Sequence, residues 1–201
     1  MNLLAIAGVV SLDVGLAVPT VVVGSTEREM LEMKQTLDST GEELARRVDW
    51  SALGLTTTVV GTGAAVVHNL PASFLRMISG QAVTVGGVSI RGGLSSEEFL
   101  SLTPVAGTAR YYLVAGKTIQ FWPYLANAVV ATIQYQSAYW NTSSAAYVSD
   151  TDTALLPDQL MIKGAIARWR RQKGMDYPDY RDEYETAIQN FAMFDDNARS
   201  P

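Results

Sequence analysis

A chain of 201 residues is long enough for one or two compact domains with a sizeable core. Apolar residues make up 48% and charged residues only 17%, against about 25% charged in ordinary soluble domains, which indicates that partners cover part of the surface. The formal net charge of -5 gives no general attraction to nucleic-acid phosphates. The absence of cysteine excludes disulfides and thiolate metal sites, and the single histidine, His68, disfavours catalytic triads and imidazole metal clusters. The composition therefore argues against an enzyme.

The first 23 residues are apolar enough to raise a signal peptide or a membrane span. They lack a basic leading segment, and Asp13, Gly15 and Pro19 interrupt the apolar run. Apolar residues from Leu3 to Val14 recur mostly at helical spacing. We therefore expect a short buried helix that Gly15 and Pro19 end. An extended segment that reaches about Val23, here called the strap, should follow it, and no membrane segment is expected.

A second, long amphipathic helix is predicted to begin at Thr26. Thr26 with Glu29 three residues later fits a capping box, in which each side chain binds the other residue's backbone amide. An apolar stripe then runs down one face to about Asp49. Its members are Met30, Met33, Leu37, Leu44 and Val48.

Residues 56–139 have the composition of strands and turns, rich in Thr, Val, Ile, aromatic residues and Gly. Strands are predicted at 56–60, 65–70, 74–78, 82–90, 110–114, 118–122 and 129–136. Residues 85–88 and 114–118 resemble tight hairpin turns, and 96–102 a short helix. Because all connections are short, the sheet is expected to be antiparallel.

Helical signals return after a polar loop at 141–146. Pro157 suits the start of one helix, Gly174 its end, and Pro178 the start of the next. Residues 195–201 look polar and frayed. The fold class is therefore α+β: an antiparallel helical bundle formed by N- and C-terminal helices with an inserted antiparallel β domain. The predicted domains are the N-terminal bundle part at 1–55, the β insertion at 56–142, and the C-terminal bundle part with an extended tail at 143–201.

Asp150 and Asp152 form the most suggestive carboxylate pair. They are typical either of Asx-type turns before a helix or of a divalent-metal or proton-sharing site. A carboxylate-dependent hydrolase with Asp150, Asp152 and Glu185 as metal ligands is the alternative of a different functional class. No Gly-rich segment matches a phosphate cradle, because residues 60–63 lack the following Lys-Ser/Thr pair. No cofactor and no catalytic residue is predicted.

A basic cluster occupies the last turns of the first C-terminal helix. It consists of Arg168, Arg170, Arg171 and Lys173, with Trp169 between them. Three interpretations stay open: complementing the helix dipole, binding acidic residues of a neighbouring subunit, or contacting DNA. The aromatic series that includes Tyr184, Phe191 and Phe194 indicates packing, and His68 is interpreted as a strand residue.

Two segments resemble the head-to-tail adaptors of tailed bacteriophages, the proteins that dock beneath the portal. The first comprises residues 15–19, VVGST at 22–26 and ELARRVDWSAL at 43–53. The second comprises SDTDT at 149–153, LLP at 155–157, RW at 168–169 and KGMDY at 173–177. The insertion matches only in kind, through LPASF at 70–74, the 95–102 helix and the hairpin at Gly116-Lys117.

The resemblance implies a virion protein of the phage neck, made in the host cytoplasm, that forms a ring of twelve copies below the portal. Its implied partners are itself, the portal protein, and a downstream nozzle or stopper protein, with duplex DNA passing through the lumen without sequence-specific binding. The expected subunit or portal interface comprises Arg168, Arg170, Arg171, Lys173, Tyr184, Phe191 and Phe194. Residues 184–201 are expected to reach out of the subunit and become ordered only on a partner. A gatekeeper or tail-tube component one layer lower stays open as an alternative.

Overall fold

The computed structural model describes residues 1–64, 66–78, 82–92, 94–103, 105–142 and 144–199. The helices are α1 (Leu3–Asp13), α2 (Arg28–Arg47), α3 (Ser96–Ser101), α4 (Asp158–Gln172) and α5 (Pro178–Arg199), with one 3-10 turn at Ser51–Leu53. The strands are β1 (Gly54–Val60), β2 (Val67–Asn69), β3 (Phe74–Met77), β4 (Val83–Val85), β5 (Val88–Ser89), β6 (Ala106–Gly107), β7 (Tyr111–Ala115), β8 (Thr118–Trp122), β9 (Tyr124–Leu125) and β10 (Val130–Ser137). The predicted α+β class is confirmed.

The chain forms two compact units. The helical unit joins Met1–Leu53 to Ala138–Pro201, and the β unit is Gly54–Ser137. The helical unit carries eleven basic and eighteen acidic residues, a net charge of -7, whereas the β unit carries four and two, a net charge of +2. Together these values give the -5 of the chain. The acidity of the protein therefore belongs to its helical unit.

Helix α1 is apolar on all sides. The Asn2 side chain caps it by accepting a hydrogen bond of 3.0 Å from the Ala5 amide, and Gly15, at a φ of 78°, follows its end. Leu3, Ile6 and Val10 are buried, while Val9 and Leu12 on the outer side are 41% and 68% exposed. In the described part of the chain, no helix combines the length and apolar character that crossing a membrane requires.

Helix α2 differs from its prediction at the N-terminus. Its N-cap is Glu27, with no side-chain capping bond, so the predicted Thr26–Glu29 box is wrong. Ser25 Oγ instead accepts a hydrogen bond of 3.2 Å from the Glu27 amide, in the turn that precedes α2. A capping box does occur in the short helix α3, between Ser95 and Glu98. The buried face of α2 contains the predicted Met30, Met33, Leu37 and Leu44.

Helix α4 contacts α1, α2 and α5. Gly164 makes a close approach possible, because a Cβ there would lie 2.5 Å from Thr40 Cγ2 of α2 and 2.8 Å from Tyr184 Cε2 of α5. Pro157 precedes α4, Gly174 follows its last turn at a φ of 67°, and Pro178 begins α5. The antiparallel bundle arrangement of these helices stays a prediction.

The C-terminal tail prediction needs correction. Helix α5 continues through Arg199, so residues 195–199 are helical rather than frayed, while residues 200 and 201 lie outside the described residues. Tyr184 and Ile188 are buried, because the apolar face of α5 packs on its own unit. Asp195 accepts a hydrogen bond of 2.7 Å from the Ser51 amide. The expectation that residues 184–201 become ordered only on a partner is therefore wrong for most of the segment.

The β unit contains three sheets. The largest has the order β1-β10-β4-β5, with β3 also paired to β10; β2-β8-β7 form the second, and β6-β9 the third. The predicted strand at 82–90 is divided by a turn at Gly86 and Gly87, which have φ angles of 59° and 81°. The two larger sheets are antiparallel, as predicted, whereas the short strands β6 and β9 pair in parallel. The β7–β8 hairpin between them gives the chain the length that a parallel return requires.

Candidate interaction surface

The predicted basic cluster of α4 is mostly used within the helical unit. Arg168 pairs with Glu43 of α2, and Lys173 pairs with Glu32 of the same helix. Arg170 lies 3.4 Å from the Asp13 carboxylate and 3.9 Å from the centre of the Tyr180 ring. These ion pairs tie α4 to α1 and α2, so their cations cannot be free for a partner without breaking internal contacts.

Arg171 differs from the rest of the cluster. Its side chain is exposed, and within the described residues it forms no ion pair. Two recesses flank it, one lined by Glu43, Gly164, Ala167, Arg168, Arg171, Tyr177, Arg181, Tyr184 and Glu185, and the other by Gln35, Thr36, Ser39, Arg168, Arg171 and Gln172. Sequence reasoning grouped four cations by spacing alone, because the acidic partners of three of them lie more than 100 residues away in the chain.

The three aromatic residues of the predicted interface lie in different environments. Tyr184 is only 3% exposed, Phe191 is half-buried, and Phe194 is 75% exposed. Phe191 and Phe194 line a groove of about 540 Å³ on the helical unit. Its other lining residues are Met1, Trp50, Ala52, Ala154, Leu155, Leu156, Pro157, Asp158 and Asp195. The groove is mainly apolar, and the interface role of Phe191 and Phe194 stays a prediction.

The Asp150 and Asp152 carboxylates bind backbone amides. Asp150 Oδ1 accepts from the Val22 and Val23 amides at 3.2 and 2.7 Å, and Asp152 Oδ2 accepts from the Val148 and Ser149 amides at 2.7 and 2.9 Å. Asp152 therefore closes a local turn, but it accepts from amides that precede it, whereas an Asx turn uses an amide that follows. Asp150 instead fixes the strap to the loop before α4, a long-range role that the sequence did not predict.

The structure does not assemble the metal site of the hydrolase alternative. Glu185 forms a two-point ion pair with Arg47, with hydrogen bonds of 2.9 and 2.5 Å. In the part of the chain that is described, no three His, Asp or Glu side chains are grouped closely enough to hold a metal ion. His68 lies in β2 with its ring edge-on to Phe121, as a strand residue would.

The Arg47–Glu185 pair makes the helical unit sensitive to acid. The hydrogen bond from Arg47 lowers the pKa of Glu185 below its usual value. A lowered carboxyl pKa means that the folded state binds fewer protons, so the stabilisation exists at neutral pH and is lost as pH falls below about 4. Since the pair is partly exposed, we expect a contribution of less than about 1 kcal/mol.

Thermal unfolding between pH 7 and pH 3 tests this prediction. The Glu185→Gln variant should melt slightly below the native chain at pH 7, and the difference should shrink as the pH falls through the lowered pKa of Glu185. The matched control is Glu42→Gln. It removes the exposed partner of Arg46, four residues away on the same face of α2. A difference for Glu185→Gln that persists unchanged at pH 3 contradicts the prediction.

Comparison with known proteins gives one family. No curated protein matches the chain. The family model described as SU10 adaptor protein matches residues 1–200, which include both segments of the helical unit and the whole β unit. This match confirms the resemblance to phage adaptors found in the sequence, and the chain belongs to the SU10 adaptor protein family.

Proposed function

We propose that the chain is a head-to-tail adaptor that forms a ring between the portal and the tail of a phage particle. Membership of an adaptor family implies a structural role in the virion rather than catalysis. The observation that carries the ring is the apolar surface left open by a single copy. A helix that is apolar on all sides is normally buried, yet α1 exposes Val9 and Leu12.

The charge distribution supports head-to-tail contacts between copies. A ring joins one patch of each copy to a different patch of the next, so complementary rather than identical surfaces are needed. The helical unit has a net charge of -7 and the β unit +2. Both units also expose large apolar residues, among them Leu12 and Val18 in the first and Val88 and Leu100 in the second. Contact of unlike units is therefore electrostatically favoured over contact of like units.

The proposed partners follow from this position in the virion. The ring contacts the portal protein above and a nozzle or stopper protein below, and twelve copies would match the portal's symmetry. Duplex DNA passes through the lumen without sequence-specific binding, since a predominantly acidic protein repels the phosphate backbone and does not hold it. The location is the neck of the particle, after synthesis in the bacterial cytoplasm.

Assembly with purified portal tests the proposal. Light scattering coupled to size-exclusion chromatography should show a ring-sized complex when the chain and the portal are mixed. Leu12→Asn should weaken this assembly at least tenfold without lowering the melting temperature, because the Leu12 side chain is largely exposed. Arg28→Gln, which changes an exposed side chain paired only within α2, is the control and should assemble normally.

The outcomes separate the candidate positions. A complex with a tail or nozzle protein but none with portal would place the chain one layer lower, as a gatekeeper or tail-tube component. A chain that stays a single particle with every neck component would contradict the proposal.

A further inference from the structure

A small cleft on the helical unit is lined by residues with polar atoms that form no hydrogen bond to any described residue. The cleft has a volume of about 170 Å³ and lies between residues of α2, α4, α5 and the turn that joins the last two. Arg168 and Arg171 line it from α4, and Arg181 and Tyr184 from α5. Three arginine residues thus line a space large enough to admit a side-chain carboxylate.

Two buried atoms in the lining lack hydrogen-bond partners among the described residues. They are the hydroxyl of Tyr184 and Nε of Arg168. An unsatisfied buried donor is destabilising, so such atoms normally bind water or a ligand. Burial raises the pKa of Tyr184, which keeps its hydroxyl protonated and able to donate.

The cations around the cleft are unequally neutralised. Arg168 pairs with Glu43 through Nη2, which leaves its Nε unused. Arg181 pairs with the adjacent, exposed Asp182, an interaction that water screens, and its charge adds to the effect of Arg47 in lowering the pKa of Glu185. Arg171 forms no ion pair within the described residues. The cleft therefore offers one free positive charge together with unused donors.

We propose that this cleft is a binding site for one carboxylate, presented by an acidic side chain of an adjoining protein subunit. Arg171 supplies the charge, and Arg168 Nε and the Tyr184 hydroxyl supply further donors. That the carboxylate comes from another subunit rests on the proposed function, because ring assembly brings that subunit to the cleft. Binding of a free carboxylate by the isolated chain does not depend on the proposed function.

A carboxylate fits better than a DNA phosphate. Glu43 and Glu185 also line the cleft, and the surrounding unit has a net charge of -7, so a polyanionic backbone would be repelled. A single carboxylate brings one negative charge into a recess that holds one uncompensated cation. Arginine also matches the planar carboxylate geometry with paired donors.

Nuclear magnetic resonance of the free chain tests the site. With acetate replacing chloride at constant ionic strength, the Hε–Nε signals of Arg168 and Arg171 should shift and saturate with one dissociation constant. Arg171→Gln should weaken this binding at least tenfold. Arg46→Gln, which changes an exposed arginine outside the cleft, should bind acetate like the native chain.

The Tyr184→Phe variant distinguishes a hydroxyl that binds the carboxylate from one that only stabilises the fold. Since no described residue binds the hydroxyl, its removal should leave the melting temperature unchanged or raise it, while weakening acetate binding. A lower melting temperature with unchanged acetate binding overturns the assignment, as does a shift that never saturates. Saturable binding of a short DNA duplex in place of acetate also overturns it, in favour of a nucleic-acid contact. Because these experiments need no portal, their failure leaves the ring proposal standing.

Discussion

Replacing Trp140 by alanine is expected to lower the free energy of unfolding of the helical unit by about 3–5 kcal/mol. Trp140 is completely buried, and its indole Nε1 donates a hydrogen bond of 2.8 Å to the Ala145 carbonyl. Its ring meets Tyr147 edge-on, with centroids 4.8 Å apart, and also packs against Gly41 of α2. Loss of the indole removes a large buried apolar area and leaves a cavity against α2.

A double-mutant cycle with Gly41→Ala makes this prediction specific. In the native chain, a Cβ at Gly41 would lie 2.6 Å from Cε3 of Trp140, so the substitution should destabilise by about 1–3 kcal/mol despite the higher helix propensity of alanine. In the Trp140→Ala chain the same methyl enters the cavity, and Gly41→Ala should be neutral or stabilising. Chemical denaturation of all four chains measures the coupling, and additive effects contradict the proposed contact.

Replacing Asp150 by alanine is expected to destabilise the N-terminal segment by about 1.5–3 kcal/mol, the cost of removing charge-assisted hydrogen bonds from part-buried amides. The carboxylate holds the amides of Val22 and Val23, and Val22 is 1% exposed. The Asp150 carbonyl also accepts from the Leu4 amide at 3.2 Å, so one residue connects α1, the strap and the loop before α4. Without the carboxylate, the Val22 and Val23 amides lose their acceptor in a part-buried environment.

Hydrogen exchange locates the effect of Asp150→Ala. The Val22 and Val23 amides should exchange at least tenfold faster, while amides of the β unit stay unchanged. Asp152→Ala is the matched control, because it removes a carboxylate of the same loop that binds only the nearby Val148 and Ser149 amides. Equal acceleration of the strap amides in both variants would show that the loop acts as a whole, contrary to the prediction.

Local sequence signals predicted the ends of helices well. Gly15, Gly174 and Pro178 mark helix ends because each acts through its own backbone: a positive φ for the glycines and a fixed φ for proline. The buried face of α2 followed from periodicity alone. These features need no knowledge of distant residues.

Features that depend on distant partners were not predictable in the same way. Sequence spacing groups the cations of α4 into one basic cluster, yet Glu43, Glu32 and Asp13 neutralise three of its members across the fold. Trp140 lies beside a polar loop and gives no periodic signal, although it fills the space above Gly41. The parallel β6–β9 pair also joins segments separated by a complete hairpin. Only tertiary contacts distinguish these arrangements from the local expectation.

The first and last strands of the β unit have a consequence for how such proteins diversify. Gly54 of β1 lies opposite Gln136 of β10, so the chain enters and leaves the module through neighbouring strands about 5 Å apart. A pair of adjacent ends resembles the base of an ordinary hairpin. We therefore expect that another module with the same narrow stem can replace residues 54–137 while the helices keep their contacts.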